Sequence, residues 1–248
     1  MDYKEKIKFL EERIKRLNEI GLALSKEDDT NIIFEMILEE AKNITHADGR
    51  TLYMKDKDGN LKFEIMRNDS KKTIMGGSSG VEIPFPPVPL EINGSPNEKN
   101  VSAYAAIHGN TVNVKDAYIE KGFDFSGPKK YDIDFGYRSQ SFLCVPLIDH
   151  ENEVIGVMQL INATDNNTKE TIEFSKEMQD QVESLASQGA VALTNKKLVA
   201  ELKTLFESFI QLIATAIDKK SEYTGGHCER VPEITMMLAD AVENTKEG

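Results

Sequence analysis

Along this chain the spacing of apolar residues changes from intervals of three and four to intervals of one and two, then back again, which predicts helices flanking a sheet. In residues 1–25, Tyr3, Ile7, Leu10, Ile14, Leu17, Gly21 and Leu24 fall on a heptad seam, the pattern of an N-terminal dimerisation helix. The plain alternative is a surface helix whose stripe lies on its own domain. After SKEDDT, where Asp29 or Thr30 is suited to cap a helix, NIIFEMILEEAKNIT places Ile33, Met36, Ile37, Ala41 and Ile44 on one face, so a second helix should lie on a sheet. Residues 50–55 and 61–66 read as strands joined through the turn former Asp58-Gly59. Periodicity then disappears from 68 to 100, a stretch that holds GGSSG at 76–80 and the proline-dense IPFPPVPLEING.

A short helix is expected at 101–108 and a brief strand at 111–114. Residues 118–138 carry six aromatics among charged groups, which suits an irregular segment closing over a cavity. The strongest strand signal follows, SFLCVPLIDHENEVIGVMQLIN at 141–162: an apolar run, a polar turn, and a second limb with Ile155, Val157 and Ile161 on one face and Val154, Met158 and Leu160 on the other. Both faces are largely apolar, so this hairpin belongs at the centre of a sheet covered on both sides. Pro146 cannot donate a ladder hydrogen bond and marks an edge or a bulge, and Gly156 marks a close approach by another backbone or a ligand. From Phe174 to about Lys220 runs a long helix in which Val191, Leu198, Leu202, Leu205, Phe209, Leu212 and Ala216 keep a heptad register, with Asn195 at a polar seam position; a parallel dimer is the natural consequence. The divisions are therefore a helix at 1–25, a domain at 26–195, a linking helix at 196–220 and a separate segment at 221–248.

Charge and composition narrow the function. With 30 Lys and Arg against 42 Asp and Glu in 248 residues, the net charge of −12 repels a phosphate backbone, and no local basic patch offsets it; nucleic acid is not an expected partner. The most apolar window, 209–217, is short and interrupted by Gln211 and Thr215, so membrane insertion is not expected and a reducing cytoplasmic setting fits. Cys144 and Cys228 are too far apart in sequence and too few for a disulfide framework or a zinc ribbon. GGSSG lacks the Lys and Ser/Thr of a nucleotide-binding Walker loop. Cys144, within an apolar strand, should be a buried, inert thiol.

The order helix, hairpin, variable loops, short helix, strand, central hairpin, long exit helix resembles the GAF domain family. The residues that carry the likeness are Ser141-Phe142-Leu143-Cys144-Val145-Pro146-Leu147, the strand Val154-Ile155-Gly156-Val157-Met158-Gln159-Leu160-Ile161-Asn162, and the GNTVNVKD segment from Gly109 to Asp116. The resemblance spans roughly 20–195 and implies an α+β fold: an antiparallel sheet with helices on one face and a small-molecule pocket under the loops on the other, flanked by coiled-coil-type helices. Residues 206–233, containing YTGGHCERV, look like the opening of an HD-GYP phosphodiesterase domain. In that family this run supplies a first metal-ligand histidine, here His227. The HD pair, the GYP segment and any later ligands do not occur in the sequence, so divalent metals and catalysis are expected only of a complete HD-GYP domain. The resemblance implies a parent that hydrolysed cyclic di-GMP.

Cyclic-nucleotide-binding members of the GAF family carry Asn-Lys followed downstream by Phe-x-x-x-Asp-Glu. Here Asn162 is followed by Ala163, and Phe174 by Met178 and Gln179, so the charged members of that motif are missing. The leading expectation is a non-enzymatic, dimeric sensor module that binds a small molecule and couples pocket occupancy to its exit helix. The alternatives are a ligand-free dimerisation spacer and a cyclic-nucleotide-binding domain. From loop position, Tyr104, His108, Asp116, Tyr131 and Tyr137 are the candidate ligand-binding residues.

Overall fold

The computed structural model describes residues 3–220 and 227–243. The chain divides into two compact units, Met1–Lys196 and Lys197–Gly248.

In the first unit, α1 (Tyr3–Lys26) and α2 (Thr30–Thr45) precede β1 (Gly49–Lys55), β2 (Asn60–Asn68) and β3 (Thr73–Gly76). A single 3-10 turn (Gly77–Ser79) follows, then β4 (Val88–Pro89), the small ladder of β5 (Glu91–Ile92) with β6 (Ser95–Pro96), α3 (Val101–His108), β7 (Val112–Val114) and α4 (Ser126–Phe135). The central hairpin is β8 (Phe142–Ile148) and β9 (Val154–Ile161), followed by the ladder of β10 (Ala163–Thr164) with β11 (Thr171–Ile172) and by α5 (Lys176–Lys220). The main sheet runs β3-β2-β1-β9-β8-β7 and is antiparallel throughout, with β4 pairing the start of β2. The sheet thus closes on β1 against β9, joining the first hairpin to the last.

Each sequence signal has a visible cause here. Asp29 caps α2, accepting from the Asn31 backbone N–H at 2.8 Å. Pro146 pairs with Val157 on one side, whereas β7 reaches only as far as Cys144 on the other, so the missing N–H lies where β8 is locally an edge. Gly156 sits against the neighbouring strand, where a Cβ would lie 2.4 Å from the Tyr53 carbonyl oxygen. The alternation along the second limb needs one correction. Leu147 pairs with Gly156 but Ile148 pairs with Val154, so Ile155 is an extra, bulged residue and the faces exchange there: Ile155 joins Met158 and Leu160, while Val154 joins Val157 and Ile161.

Both faces of the sheet are covered. On one, Ile33, Ile37, Leu38 and Ala41 of α2 and Val182, Leu185, Ala186 and Ala190 of α5 bury Leu52, Leu143, Val145, Leu147, Met158 and Leu160. Each fully buried aliphatic side chain of this kind contributes about 1.5–3 kcal/mol. Leu24, a seam residue of α1, is fully buried in this same core, and Arg16 reaches Glu40 of α2 at 2.7 Å, so the end of α1 lies on its own domain while Ile7 stays exposed. On the other face, Val101, Ala105 and Ala106 of α3, with Phe125, pack on Tyr53, Phe142, Cys144 and Val157. Helices therefore occupy both faces, and not one as expected: residues 118–138, read as irregular, contain α4, ended by Gly136 in the left-handed region.

In the second unit, residues 197–220 of α5 carry large apolar side chains, Leu198 through Ile217, that are 43–67% exposed. Here α6 (His227–Glu243) likewise exposes Val231, Ile234, Met237 and Leu238. No helix among the described residues is long and apolar enough to cross a membrane.

Candidate functional site

On the α3 face the sheet does not close fully against its cover. A cavity of about 310 Å³ lies between β1, β2 and β9 below and α3, α4 and the 85–88 loop above. Its walls are aromatic and apolar: Phe63, Met66, Phe85, Pro86, Phe125, Pro128 and Tyr131. Phe63 lies against both Tyr53 and Phe85, with ring centroids 4.6 and 5.8 Å away. The floor is polar. The Ser102 hydroxyl donates to Gln159 Oε1 at 2.6 Å, and the Cys144 thiol reaches the same oxygen at 3.6 Å. Burial raises the Tyr53 phenol above its ordinary value, aided by the nearby Cys144, while hydrogen bonding with Ser102 and Gln159 works the other way. Burial pushes the Cys144 thiol up to about 12, which leaves it protonated and unreactive.

The roof is fixed by two tyrosine–carboxylate clasps. Within the segment that carries α4, Asp132 is buried and accepts from the Tyr118 hydroxyl at 2.6 Å, the Ser139 backbone N–H at 2.8 Å and the Ser139 hydroxyl at 2.7 Å. Tyr137 donates to Asp48, at the entry to β1, at 2.6 Å and accepts from Asn162 Nδ2 at 3.0 Å. Burial and the Asp48 carboxylate both hold the Tyr137 phenol in its neutral form, well above its ordinary value. Asn162 completes the junction: its side chain accepts from the backbone N–H groups of Gln140 and Ser141 and donates to the Arg138 carbonyl.

The electrostatics limit what the cavity can hold. Arg50 and Arg67 border it, but their guanidinium groups are engaged by Asp69 and Glu35, each at 3.0 Å. Those ion pairs line a larger, open cleft of about 910 Å³ beside α2, where the buried Arg50 Nε has no hydrogen-bond partner among the described residues. At the cavity mouth Asp124 is held by the Ser126 backbone N–H at 2.8 Å, and that contact lowers the Asp124 carboxyl below its usual range. The first free N–H groups of α3, those of Ser102 and Ala103, are already taken by Asn100. What remains is an aromatic slot with hydroxyl, phenol and carboxamide groups on its floor, suited to a flat, uncharged ring with a hydrogen-bonding edge.

Of the sequence candidates, the structure brings Tyr131 and Tyr137 to this cavity. Tyr104 and His108 instead pack on each other on α3 with ring centroids 4.3 Å apart and planes tilted by 44°, and Tyr104 also meets Phe123. Asp116 accepts from the Tyr118 backbone N–H and pairs with Arg138 at 3.6 Å, a turn and not a cavity wall. His227 begins α6, but its side chain lies outside the described residues. Gln159, Ser102 and Tyr53, which are not among the sequence candidates, also line the cavity. The available signal was polarity at inward strand positions, where Gln159 interrupts the apolar run of the second limb.

The sequence profile of the GAF domain matches residues 29–193, which hold the whole sheet, α2, α3, α4 and the first part of α5. The chain belongs to the GAF domain family. Among solved structures, the GAF unit is similar to the GAF domain of a phosphoenolpyruvate-protein phosphotransferase from Coxiella burnetii, with 14% identity, a TM-score of 0.55 and coverage of 76% of this chain and 96% of that one. The equivalent domain from Acinetobacter gives a TM-score of 0.54 at 14% identity over 76% and 97%. Curated relatives include the dual 3',5'-cyclic-AMP and -GMP phosphodiesterase 11A of Takifugu rubripes, 28% identical over 174 residues, and a cGMP-specific 3',5'-cyclic phosphodiesterase of Drosophila virilis, 25% identical over 147 residues. The matches cover 69% and 57% of this chain but only 18% and 15% of those proteins. In the GAF unit the position that follows Asn162 in the cyclic-nucleotide motif is the fully buried Ala163, and Gln179 accepts a neutral hydrogen bond from Asn113 at 3.2 Å.

Proposed function

We propose that this GAF unit is the sensor of a regulatory protein and that its ligand is a small, uncharged, flat molecule held in the cavity under α4. The observation that carries the reading is the half-open aromatic slot with the Gln159–Ser102 pair on its floor and no free cationic side chain on its walls. Binding acts by favouring one position of the α4 roof over another. Its readout is a homodimer in which the heptad seam of α5 pairs with a second copy, so that a change at the domain reaches the exit helix directly. Residues 206–233 favour an HD-GYP output for cyclic di-GMP, with His227 as one metal ligand when the rest of such a domain is present. A thermal-shift screen tests the sensing role: a ligand at about 100 times its dissociation constant adds about 2.7 kcal/mol, or about 5–10 °C for a domain of this size. Silence across nucleobases, nucleosides and neutral metabolites favours a dimerisation spacer instead. Monomeric sedimentation at micromolar concentration removes the coupling scheme.

The second reading is a cyclic nucleotide, favoured by the likeness to the cyclic-nucleotide phosphodiesterases. Cyclic GMP and cyclic AMP belong in the same screen beside guanosine and adenosine. A larger shift from the cyclic phosphate than from its nucleoside selects this reading, and the reverse selects the uncharged ligand.

A further inference from the structure

Residues 197–220 of α5 carry more apolar surface than a two-stranded coiled coil uses. The heptad seam takes Leu198, Leu202, Leu205, Phe209 and Leu212 at its a and d positions. A second row, Val199, Phe206, Ile210, Ile213 and Ile217, falls on the e and b positions of the same register, and these side chains are 43–65% exposed. The c and g positions are polar: Lys197, Thr204, Gln211 and Asp218 on one, Glu201, Ser208 and Thr215 on the other. At about 3.5 residues per turn the e/b row lies roughly 100° around the helix from the a/d row. That is close to the angle of about 90° between the two neighbours of a helix in a square four-helix arrangement.

We infer that the second row is the docking surface for α6 of the same chain, which folds back on α5 as an antiparallel hairpin. The length and pattern of α6 fit this occupant. Six residues separate α5 from α6, within the usual range for joining antiparallel helices. Folding back across that connector sets Ile217 against Val231, Ile213 against Ile234 and Ile210 against Met237, each pair apolar on both sides. It also sets Lys203, a basic residue of the second row, against Glu243. On α6, Val231, Ile234 and Leu238 are spaced three and four apart, so they share one helical face, and with Met237 they are 44–72% exposed. Use of the a/d row by a second copy belongs to the function proposed above. The e/b assignment stands on α6 alone, and together the two make a four-helix bundle from two chains.

The test is disulfide trapping in the full chain carrying Cys228→Ser, with the buried Cys144 left in place. Ile210→Cys with Met237→Cys joins the facing positions; Ser208→Cys with Met237→Cys is the control, because Ser208 lies on the opposite side of α5. The facing pair is expected to close at least about tenfold faster under mild oxidation and to run as a faster-migrating monomer on a non-reducing gel. Equal rates for the two pairs would overturn the hairpin, and a facing-pair product at dimer mass would overturn the same-chain assignment. Sedimentation of Leu205→Asp keeps the two proposals apart: loss of the dimer with trapping intact touches only the a/d seam.

Discussion

Removing the carboxylate of Asp132 should loosen the roof of the cavity by an amount that depends on what replaces it. In Asp132→Ala three donors lose their acceptor. Tyr118 is 37% exposed, so its hydroxyl turns to water at little cost. Ser139 is buried, and its backbone N–H and hydroxyl are stranded. At about 1–3 kcal/mol for an unsatisfied buried donor, with the Ser139 hydroxyl partly recovered by rotation, the total is about 3 kcal/mol. Asp132→Asn keeps the shape. Its carboxamide oxygen can stand in the Oδ2 place and still accept from Tyr118 and the Ser139 N–H, while its NH2 donates to a rotated Ser139 hydroxyl. Only the charge assistance is lost, about 1 kcal/mol. Calorimetric melting of the GAF unit reads the difference: about 6–12 °C lower for the alanine variant and about 2–4 °C for the asparagine variant. Amide exchange across residues 118–140 should rise more in the alanine variant than in the asparagine variant. If both variants melt within about 0.5 kcal/mol of the parent, Asp132 does not hold the roof and the argument fails.

Other expectations concern the two faces of the sheet and its buried groups. Gly156→Ala drives a Cβ into the immovable Tyr53 carbonyl and should cost about 3 kcal/mol in chemical denaturation, whereas Gly189→Ala meets Ile37 Cδ1 at 2.5 Å and Cγ1 at 3.1 Å, a side chain that must shift within the core, and with the gain in helix propensity should cost less, about 1–2 kcal/mol. Tyr137→Phe removes the bond to Asp48 but leaves Asn162 its Arg138 carbonyl, so a loss of about 1.5–2 kcal/mol is expected; no coupling in a double-mutant cycle with Asp48→Ala would refute the clasp. Cys144 supplies a pH signature. Because its folded thiol is raised to about 12 against about 8.5 when unfolded, its contribution is complete below about pH 8.5 and is lost as pH rises towards 12, with a slope near 1.4 kcal/mol per pH unit. Cys144→Ala should flatten the fall in stability between pH 9 and 11 relative to the parent, and a thiol reagent should find Cys144 unreactive until the protein unfolds.

By itself the sequence determined the periodic parts. The apolar run at 142–148 buries both of its faces, the capped α2 and the first part of α5 bury one face each, and such patterns are written in residue spacing because the helix and strand repeats are fixed by backbone geometry. Pro146 and Gly156 were equally legible, since a missing N–H and a missing Cβ restrict the backbone wherever they stand. The tertiary structure decided what depends on residues far apart in the chain. The bulge at Ile155 is set by how β8 and β9 pair, and it exchanged the faces that simple alternation assigned. The cavity gathers Tyr53, Ser102, Tyr131 and Gln159 from four separate elements, and no local pattern links them. Tyr104, His108 and Asp116 had the right chemistry and neighbouring loops, but α3 turns the first two onto each other and Asp116 closes a turn. Side-chain direction over a cavity follows from how helices rest on a sheet, and that packing is a property of the whole fold.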